Sequence, residues 1–377
     1  MIGTAIAGAT AQRLREDAQL DTSHTVDGLI RGLENERIHL GSRSVVVMDE
    51  AGMANTKRLS RLIKLTRDHR AKLVLAGDGA QLGPIGAGGL FPQLAERVPT
   101  AELTEVHRAN HEWEREAWDQ VRNGQPGPAL AAYRANERLR IFDTRAEAAA
   151  AMVNEWDKAR RDLPANQAVM ITDASNKERD QINAMAQKRR MGAGELGSCV
   201  VALVGKPYGL RAGDEVIFSA QFPVPGAQRI ENGITATVLY ADEEKGRLKL
   251  RTHEREPREA TVHTNHFSDL DLSYARHLYK AQGITAESAE VLIGGWQSNR
   301  ESAYVALSRA RERTQIYVSR EDLGEAGMDV GAIERLGDRI RESRTQETSI
   351  AKKTEERIAE EAQIGRDQDP DRGFGID

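Results

Sequence analysis

The sequence predicts an α/β fold on parallel sheets, interrupted by a small β-rich unit, and three observations predict it. VVVMDEAGM holds a β-branched apolar run, Val45 to Met48, that ends on two acids, Asp49 and Glu50. AKLVLAGD (71–78) repeats the design and ends on Asp78. Between them Leu59, Leu62, Ile63 and Leu65 recur at helical spacing, so the segment is a strand–helix–strand unit of parallel type. In such sheets ligands bind beyond the carboxyl ends of the strands, where Asp49, Glu50 and Asp78 would sit.

The other elements follow in order. Residues 1–30 are expected to be a weak helix, on the partial spacing of Ala5, Ala9 and Leu14. A helix-rich stretch is expected over about 110–160, with Trp113, Trp118 and Trp156 in packing roles. QAVMITDAS (167–175) predicts a buried strand, followed by a helix through Ile182, Met185 and Ala186. From about 205 to 265 the character becomes alternating strands and glycine turns, a small inserted β-barrel. EVLIGGW (290–296) and TQIYVSR (314–320) return to buried strands, the first capped by Trp296. The charged segment 334–377 is expected to be an exposed helix and then a disordered end.

Composition narrows the function. The 377 residues are 39% hydrophobic and 29% charged, and no apolar run reaches the length of a membrane helix. A net charge of −5 excludes a strongly basic DNA-coating protein but not a local basic groove. The single cysteine, Cys199, excludes a disulfide framework and a cysteine zinc site, and the expected location is the cytoplasm. His24 and His39 are ordinary polar positions, and His107 and His111, four apart, have no third ligand at fitting spacing.

Four segments carry chemistry. The Asp49–Glu50 pair at a strand tip suits Mg²⁺ and the activation of a water. GDGAQLGPIGAGG (77–89) places Gln81 three residues after Asp78. ARHLYKAQGITAESAEVLI (275–293) sets Lys280 and Gln282–Gly283 before a strand. ESAYVALSRARERTQIYV (301–318) ends an apolar helix on Arg309, Arg311 and Arg313, and an arginine so placed can act on a neighbouring domain's nucleotide.

In this order the segments resemble the motifs of RecD-like superfamily 1B DNA helicases, and more closely the helicase region of conjugative relaxase-helicases of the TraA/MobA kind. AIAGATAQRL (5–14) is similar to motif Ia, VVVMDEAGM to Walker B, GDGAQLGPIGAGG to motif III, HLYKAQGITAES to motif V and AYVALSRARER to motif VI. LTEVHRAN (103–110) is similar to the segment that supplies a phosphate-contacting arginine, here Arg108. The resemblance implies tandem RecA-like P-loop NTPase domains, the first incomplete, with an inserted SH3-like β-barrel. Its boundaries would be a partial first domain at 1–115, a helical connection and the start of the second domain at 116–204, the insert at 205–265, the rest of the second domain at 266–325 and a charged tail at 326–377.

The resemblance also implies ATP-driven 5′→3′ movement on single-stranded DNA. Asp49 would hold Mg²⁺ and Glu50 would be the base. Gln81 would couple the γ-phosphate to the DNA surface, and Arg108 and Arg309 would stabilise the transferring phosphoryl group. Gly283 and Glu287 would join Asp49, Glu50, Gln81 and Arg309 around ATP. Thr10, Gln12, His277, Lys280, Gln282 and Thr285 would contact the strand. The family's phosphate loop, GxxxxGK[ST], is missing from the sequence: VGKP (204–207) and GAGG (86–89) both fail the pattern. The chain is therefore expected to be the downstream part of a longer protein, whose upstream partners are a Walker A segment and a relaxase, with conjugation machinery beyond. Inactivity with retained single-stranded DNA binding, or RecD-like DNA repair, are the alternatives.

Overall fold

The computed structural model describes residues 1–84, 89–102, 109–164, 166–226, 228–267, 269–324 and 329–344. The chain runs β1 (Ile2–Ala5), α1 (Gly8–Asp17), β2 (Thr22–Thr25), α2 (Val26–Glu34), β3 (Val45–Met48), a 3₁₀ turn (Ala51–Met53), α3 (Thr56–Asp68), β4 (Lys72–Leu75) and α4 (Phe91–Ala95). It continues with α5 (Glu112–Arg122), α6 (Pro126–Ala135), β5 (Leu139–Phe142), α7 (Arg145–Ala159), β6 (Ala168–Thr172) and α8 (Asn176–Gly192). Seven short strands follow: β7 (Val201–Ala202), β8 (Gly209–Leu210), β9 (Glu215–Phe218), β10 (Thr235–Asp242), β11 (Arg247–Thr252), β12 (Glu259–His263) and β13 (Leu270–Leu272). The remainder is β14 (Ala275–His277), α9 (Leu278–Ala281), β15 (Ala286–Leu292), α10 (Arg300–Leu307), β16 (Ala310–Ser319), α11 (Arg320–Leu323) and α12 (Asp329–Arg341).

Two parallel sheets form the frame. The first has the order β2-β1-β3-β4 and the second β14-β6-β15-β16-β5. The acid-tipped strand is β3, held between β1 and β4. Its neighbour β4 is an edge strand, with Lys72 and Val74 exposed, so the second apolar run is buried less than a central strand would be. By contrast β6 is buried at every position, as expected of a strand covered on both faces. The third sheet, β12-β11-β10-β9-β13, is antiparallel. Strands β11 and β12 alternate buried and exposed residues, one face on the core and the other in water.

Local signals explain where helices start. Asn55 caps α3 by accepting from the Arg58 N–H, and Thr144 and Glu147 form a reciprocal capping box on α7. Leu59, Leu62 and Leu65 of α3 join Leu29, Val46 and Met48 in the core under the first sheet. Each such side chain contributes about 1.5–3 kcal/mol by leaving water. The two faces of the second sheet have separate cores. One is covered by α5, α6, α10 and α12, and the other by α7, α8 and the antiparallel sheet.

Three expectations change. Residues 1–30 are two strands and two helices, because IGTA is drawn into the sheet by pairing with β3, and TSHT by pairing with IGTA, despite weak strand character of their own. The stretch 110–160 hides β5, which pairs with β16. And α12 is not a solvated helix: Ala332, Leu336 and Ile340, four apart, are buried against the rest of the chain. Residues 345–377 lie outside the described residues. Among the described residues no helix is long and apolar enough to cross a membrane.

Candidate functional site

The acids sit where β3 ends. The Asp49 N–H donates to the Thr4 carbonyl of β1 at 2.9 Å, and Asp49 Oδ1 accepts the Glu50 N–H at 2.8 Å. Glu50 itself has φ +50°, a left-handed turn that swings its side chain away from the strand axis. That side chain reaches the second half of the molecule: Glu50 Oε2 accepts from Gln282 Nε2 at 2.8 Å. Beside it Arg13 of α1 donates to the Gly283 carbonyl at 2.7 Å. Gly283 has φ +76°, a backbone conformation that strains any other residue, and a Cβ there would also press on Arg13 Nη2 at 2.8 Å.

The electrostatics suit a proton acceptor. Burial raises the Glu50 pKa above the ordinary carboxylate value. The Gln282 hydrogen bond opposes the rise, Asp49 adds to it, and Arg309 and Arg13 oppose it. Arg309 is 1% exposed and donates to Ser308 Oγ at 2.7 Å. Its charge is therefore held next to the acids, across the boundary between the sheets. Asp78 follows β4 and accepts from the Ala80 N–H at 2.9 Å and from Gln81 Nε2 at 3.4 Å. Arg122 of α5 stands 3.6 Å from it. The other amide oxygen, Gln81 Oε1, is buried without a partner.

For Mg²⁺ the residues fit in part. Asp49 and Glu50 are adjacent carboxylates, but no group of three ligating side chains occurs among the described residues. Phosphate oxygens and waters would have to complete the shell, which is the usual arrangement for this ion. Glu287 pairs with Arg311 at 3.1 Å and Glu290 with Arg313 at 3.4 Å, so Arg311 and Arg313 are committed within their own sheet. Arg108 lies outside the described residues.

A cleft of about 790 Å³ opens beside this junction. Its walls are α1, the loop that carries α9, and the antiparallel sheet. Thr10, Gln12, Lys280 and Gln282 all line it, four of the six residues expected at a strand of DNA. His277 and Thr285 do not. Gln12 Nε2 bonds Glu254 Oε1 at 2.7 Å, while Gln12 Oε1 and Gln282 Oε1 are buried acceptors without partners. Lys280 Nζ reaches Ser219 Oγ at 3.2 Å.

Sequence reasoning missed Arg13, Arg276, Asn232, His253 and Tyr279, which complete the walls. Burial pushes the Arg276 guanidinium down to about 10, only Glu215 offsetting it, and Arg276 Nε has no partner. No local signal marks these residues except the ENG turn, 231–233, whose Asn232 carbonyl accepts the Ala9 N–H at 3.4 Å. Trp118 and Trp156 are buried as expected and Trp113 is half-buried, but Trp296 is 70% exposed and caps nothing.

Two parallel sheets that face one another across an acid-tipped junction define an architecture of the RecA-like helicase type. Residues 1–144 match an AAA domain family. A TraA conjugal transfer protein of Agrobacterium fabrum is 30% identical over 319 residues, covering 84% of this chain and 28% of that protein. A probable TraA of Sinorhizobium fredii is 28% identical over 329 residues, 87% of this chain and 29% of its own length. The RecD subunit of the RecBCD enzyme of Mycolicibacterium smegmatis is 25% identical over 296 residues, 72% of this chain and 49% of that subunit. The chain thus spans under a third of the TraA proteins it matches. A Bacteroides Pif1 helicase, solved with ADP-AlF3 and single-stranded DNA, shares the fold at a TM-score of 0.53 and 15% identity, over 96% of this chain and 87% of that one. The chain is related to the TraA conjugal transfer proteins and, more distantly, to RecD, and it shares its fold with Pif1.

Proposed function

We propose that the chain is the motor region of a conjugative-transfer helicase, one that uses ATP to move 5′→3′ along single-stranded DNA. One observation carries this reading: the segment 278–283 lines the cleft with Tyr279, Lys280 and Gln282, and touches Glu50 through Gln282. A single short segment therefore faces both a strand site and an acid site. The first domain is 1–115, the second 116–204 with 266–325, and the unit at 205–265 is an SH3-like insert that walls the cleft. The strand lies along Thr10, Gln12, Lys280 and Gln282, with Arg13 and Arg276 supplying charge. Arg108, in the undescribed segment, remains assigned to the phosphates.

ATP and Mg²⁺ supply the chemistry of phosphoryl transfer when bound. Asp49 would hold the ion, Glu50 would accept a proton from the attacking water, Gln81 would sense the γ-phosphate, and Arg309 would offset charge on the moving group. The 377 residues contain no GxxxxGK[ST], so turnover needs that loop supplied by another segment. The outer edge of β4, next to the acids, can pair with such a strand.

Two measurements test this. Binding of a labelled oligonucleotide should weaken linearly in log salt, as phosphate contacts require, and salt-independent or absent binding would refute strand recognition. Joining a GxxxxGK[ST] segment should then switch on DNA-stimulated ATP hydrolysis that Glu50→Gln removes. Strand binding with no turnover under that condition favours the second reading, an inactive DNA-binding fragment, which the missing loop motivates.

A further inference from the structure

Trp296 is the most exposed of the four tryptophans, at 70%, yet the loop that bears it is firmly held. The Gly295 N–H donates to Asp173 Oδ2 at 2.7 Å, and Ser298 Oγ donates to the same oxygen at 2.6 Å. The Gly294 N–H closes the loop onto Ser298 Oγ at 2.8 Å. Asp173 is itself 1% exposed, at the end of β6, and bonded to Arg145 at 2.7 Å. The indole is presented at little further entropic cost to a partner.

What lies beside it identifies the partner. Gln297 Oε1 bonds His277 Nε2 at 2.6 Å, and His277 stacks on Tyr279 with ring centroids 5.9 Å apart and planes at 7°. Tyr279 is 38% exposed and lines the cleft that also holds Lys280, Arg13 and Arg276. The loops after β15, β6 and β14 are neighbours along one end of the second sheet, so the aromatic groups run from Trp296 to the mouth of a cleft whose cations, Arg13, Arg255, Arg276 and Lys280, outnumber its acids, Glu16, Asp17 and Glu254. Flat aromatic faces beside a cleft that carries an excess of cations match the bases and phosphates of a single strand. We infer that Trp296 and Tyr279 are base-stacking platforms for single-stranded DNA leaving the cleft, with His277 positioning Tyr279 rather than contacting the strand. This rests on the strand-binding reading above.

The test is oligothymidylate binding to the chain, followed both by anisotropy of a labelled oligonucleotide and by tryptophan fluorescence, since Trp118 and Trp156 are buried and Trp113 half-buried. Binding should quench the exposed indole. Trp296→Ala and Tyr279→Ala should each weaken binding roughly five- to 150-fold, the range for one lost stack, with the salt dependence unchanged, and Tyr279→Phe should bind like wild type. Wild-type affinity in both alanine variants, with salt-sensitive binding by the parent, would overturn the platforms and leave the motor reading standing. Equal loss in Tyr279→Phe would assign Tyr279 to hydrogen bonding and overturn its stacking role. A parent that binds no oligonucleotide, while Trp296→Ala abolishes capture of a protein partner, would reassign the patch to protein docking.

Discussion

Gly8 is the position where a single methyl group tests the geometry of the cleft. It opens α1, and the ENG turn of the antiparallel sheet sits directly on it. A Cβ at Gly8 would lie 2.3 Å from Glu231 Oε2 and 2.8 Å from Glu231 Cβ. Glu231 cannot simply step aside: it is 8% exposed, and Gln221 and Arg229 each hold one of its oxygens at 2.7 Å. Gly8→Ala must therefore push the turn off the helix. Overpacking of this kind costs about 1–3 kcal/mol. Removing the carboxylate from a helix N-terminus adds about 0.3–1 kcal/mol. The stiffer unfolded chain returns about 0.4–1 kcal/mol. A net loss near 1–2 kcal/mol falls on the contact that keeps Thr10 and Gln12 opposite the insert, so strand affinity should drop about five- to thirty-fold. The assay is anisotropy of a labelled oligonucleotide on Gly8→Ala, Glu231→Ala and the double variant. Because the two residues touch, the double variant should be better than the sum of the singles by about 1 kcal/mol. Additive effects, or a Gly8→Ala protein that binds like wild type, would refute the placement of the insert against α1.

Other perturbations read other parts of the molecule. The Tyr133 hydroxyl accepts from Trp118 Nε1 at 3.0 Å and donates to Glu114 Oε1 at 3.2 Å inside the core of α5 and α6. Tyr133→Phe should lower unfolding stability by about 1–3 kcal/mol in urea, and an unchanged midpoint would count against that network. Burial raises Glu290 above its ordinary value of 4.5, with Arg313 and the Tyr317 hydroxyl opposing. Its stabilising share is thus complete below that ordinary value and is lost as pH rises through the folded one, so Glu290→Gln should gain on wild type as pH rises from there; a pH-independent difference would contradict this. On the proposed reading a bound strand competes with Glu50 for the Gln282 amide. Losing that donor raises the Glu50 pKa, so binding takes up a proton and tightens as pH falls; Glu50→Gln should flatten this dependence, and equal slopes in the two proteins would break the link.

The parts of the fold that sequence patterns revealed are those where one residue's environment follows from its neighbours in the chain. The apolar run of β6 is buried at all five positions, and the alternation in β11 and β12 matches their two faces. Strand β1 is IGTA and β2 is TSHT, which carry no such run. They become strands because Ile2, Gly3 and Thr4 pair with Val46, Val47 and Met48, and Thr22 to Thr25 pair with Ile2 to Ala5. Among the residues that motif order singled out, the fold brings Asp49, Glu50, Gln282, Gly283 and Arg309 into one neighbourhood. The opposite wall of the cleft could not be anticipated, since Gly8 and Glu231 are 223 positions apart and no local pattern records their contact.

The placement of Gln282 and Gly283 makes a physical demand on any reading of the site. Gln282 donates to Glu50 on one side and offers a buried, unpartnered oxygen to the cleft on the other. Gly283 holds Arg13 by its carbonyl, and Arg13 lies on α1 next to Gln12. A displacement of this dipeptide therefore alters the hydrogen bonding of Glu50 and the width of the cleft together. Linkage makes such coupling reciprocal: whatever in the cleft favours one position of the dipeptide also changes the proton affinity of Glu50, and a ligand at Glu50 changes the cleft by the same free energy. On the proposed reading, a motor that converts events at an acid pair into movement of a strand would use this dipeptide as its junction.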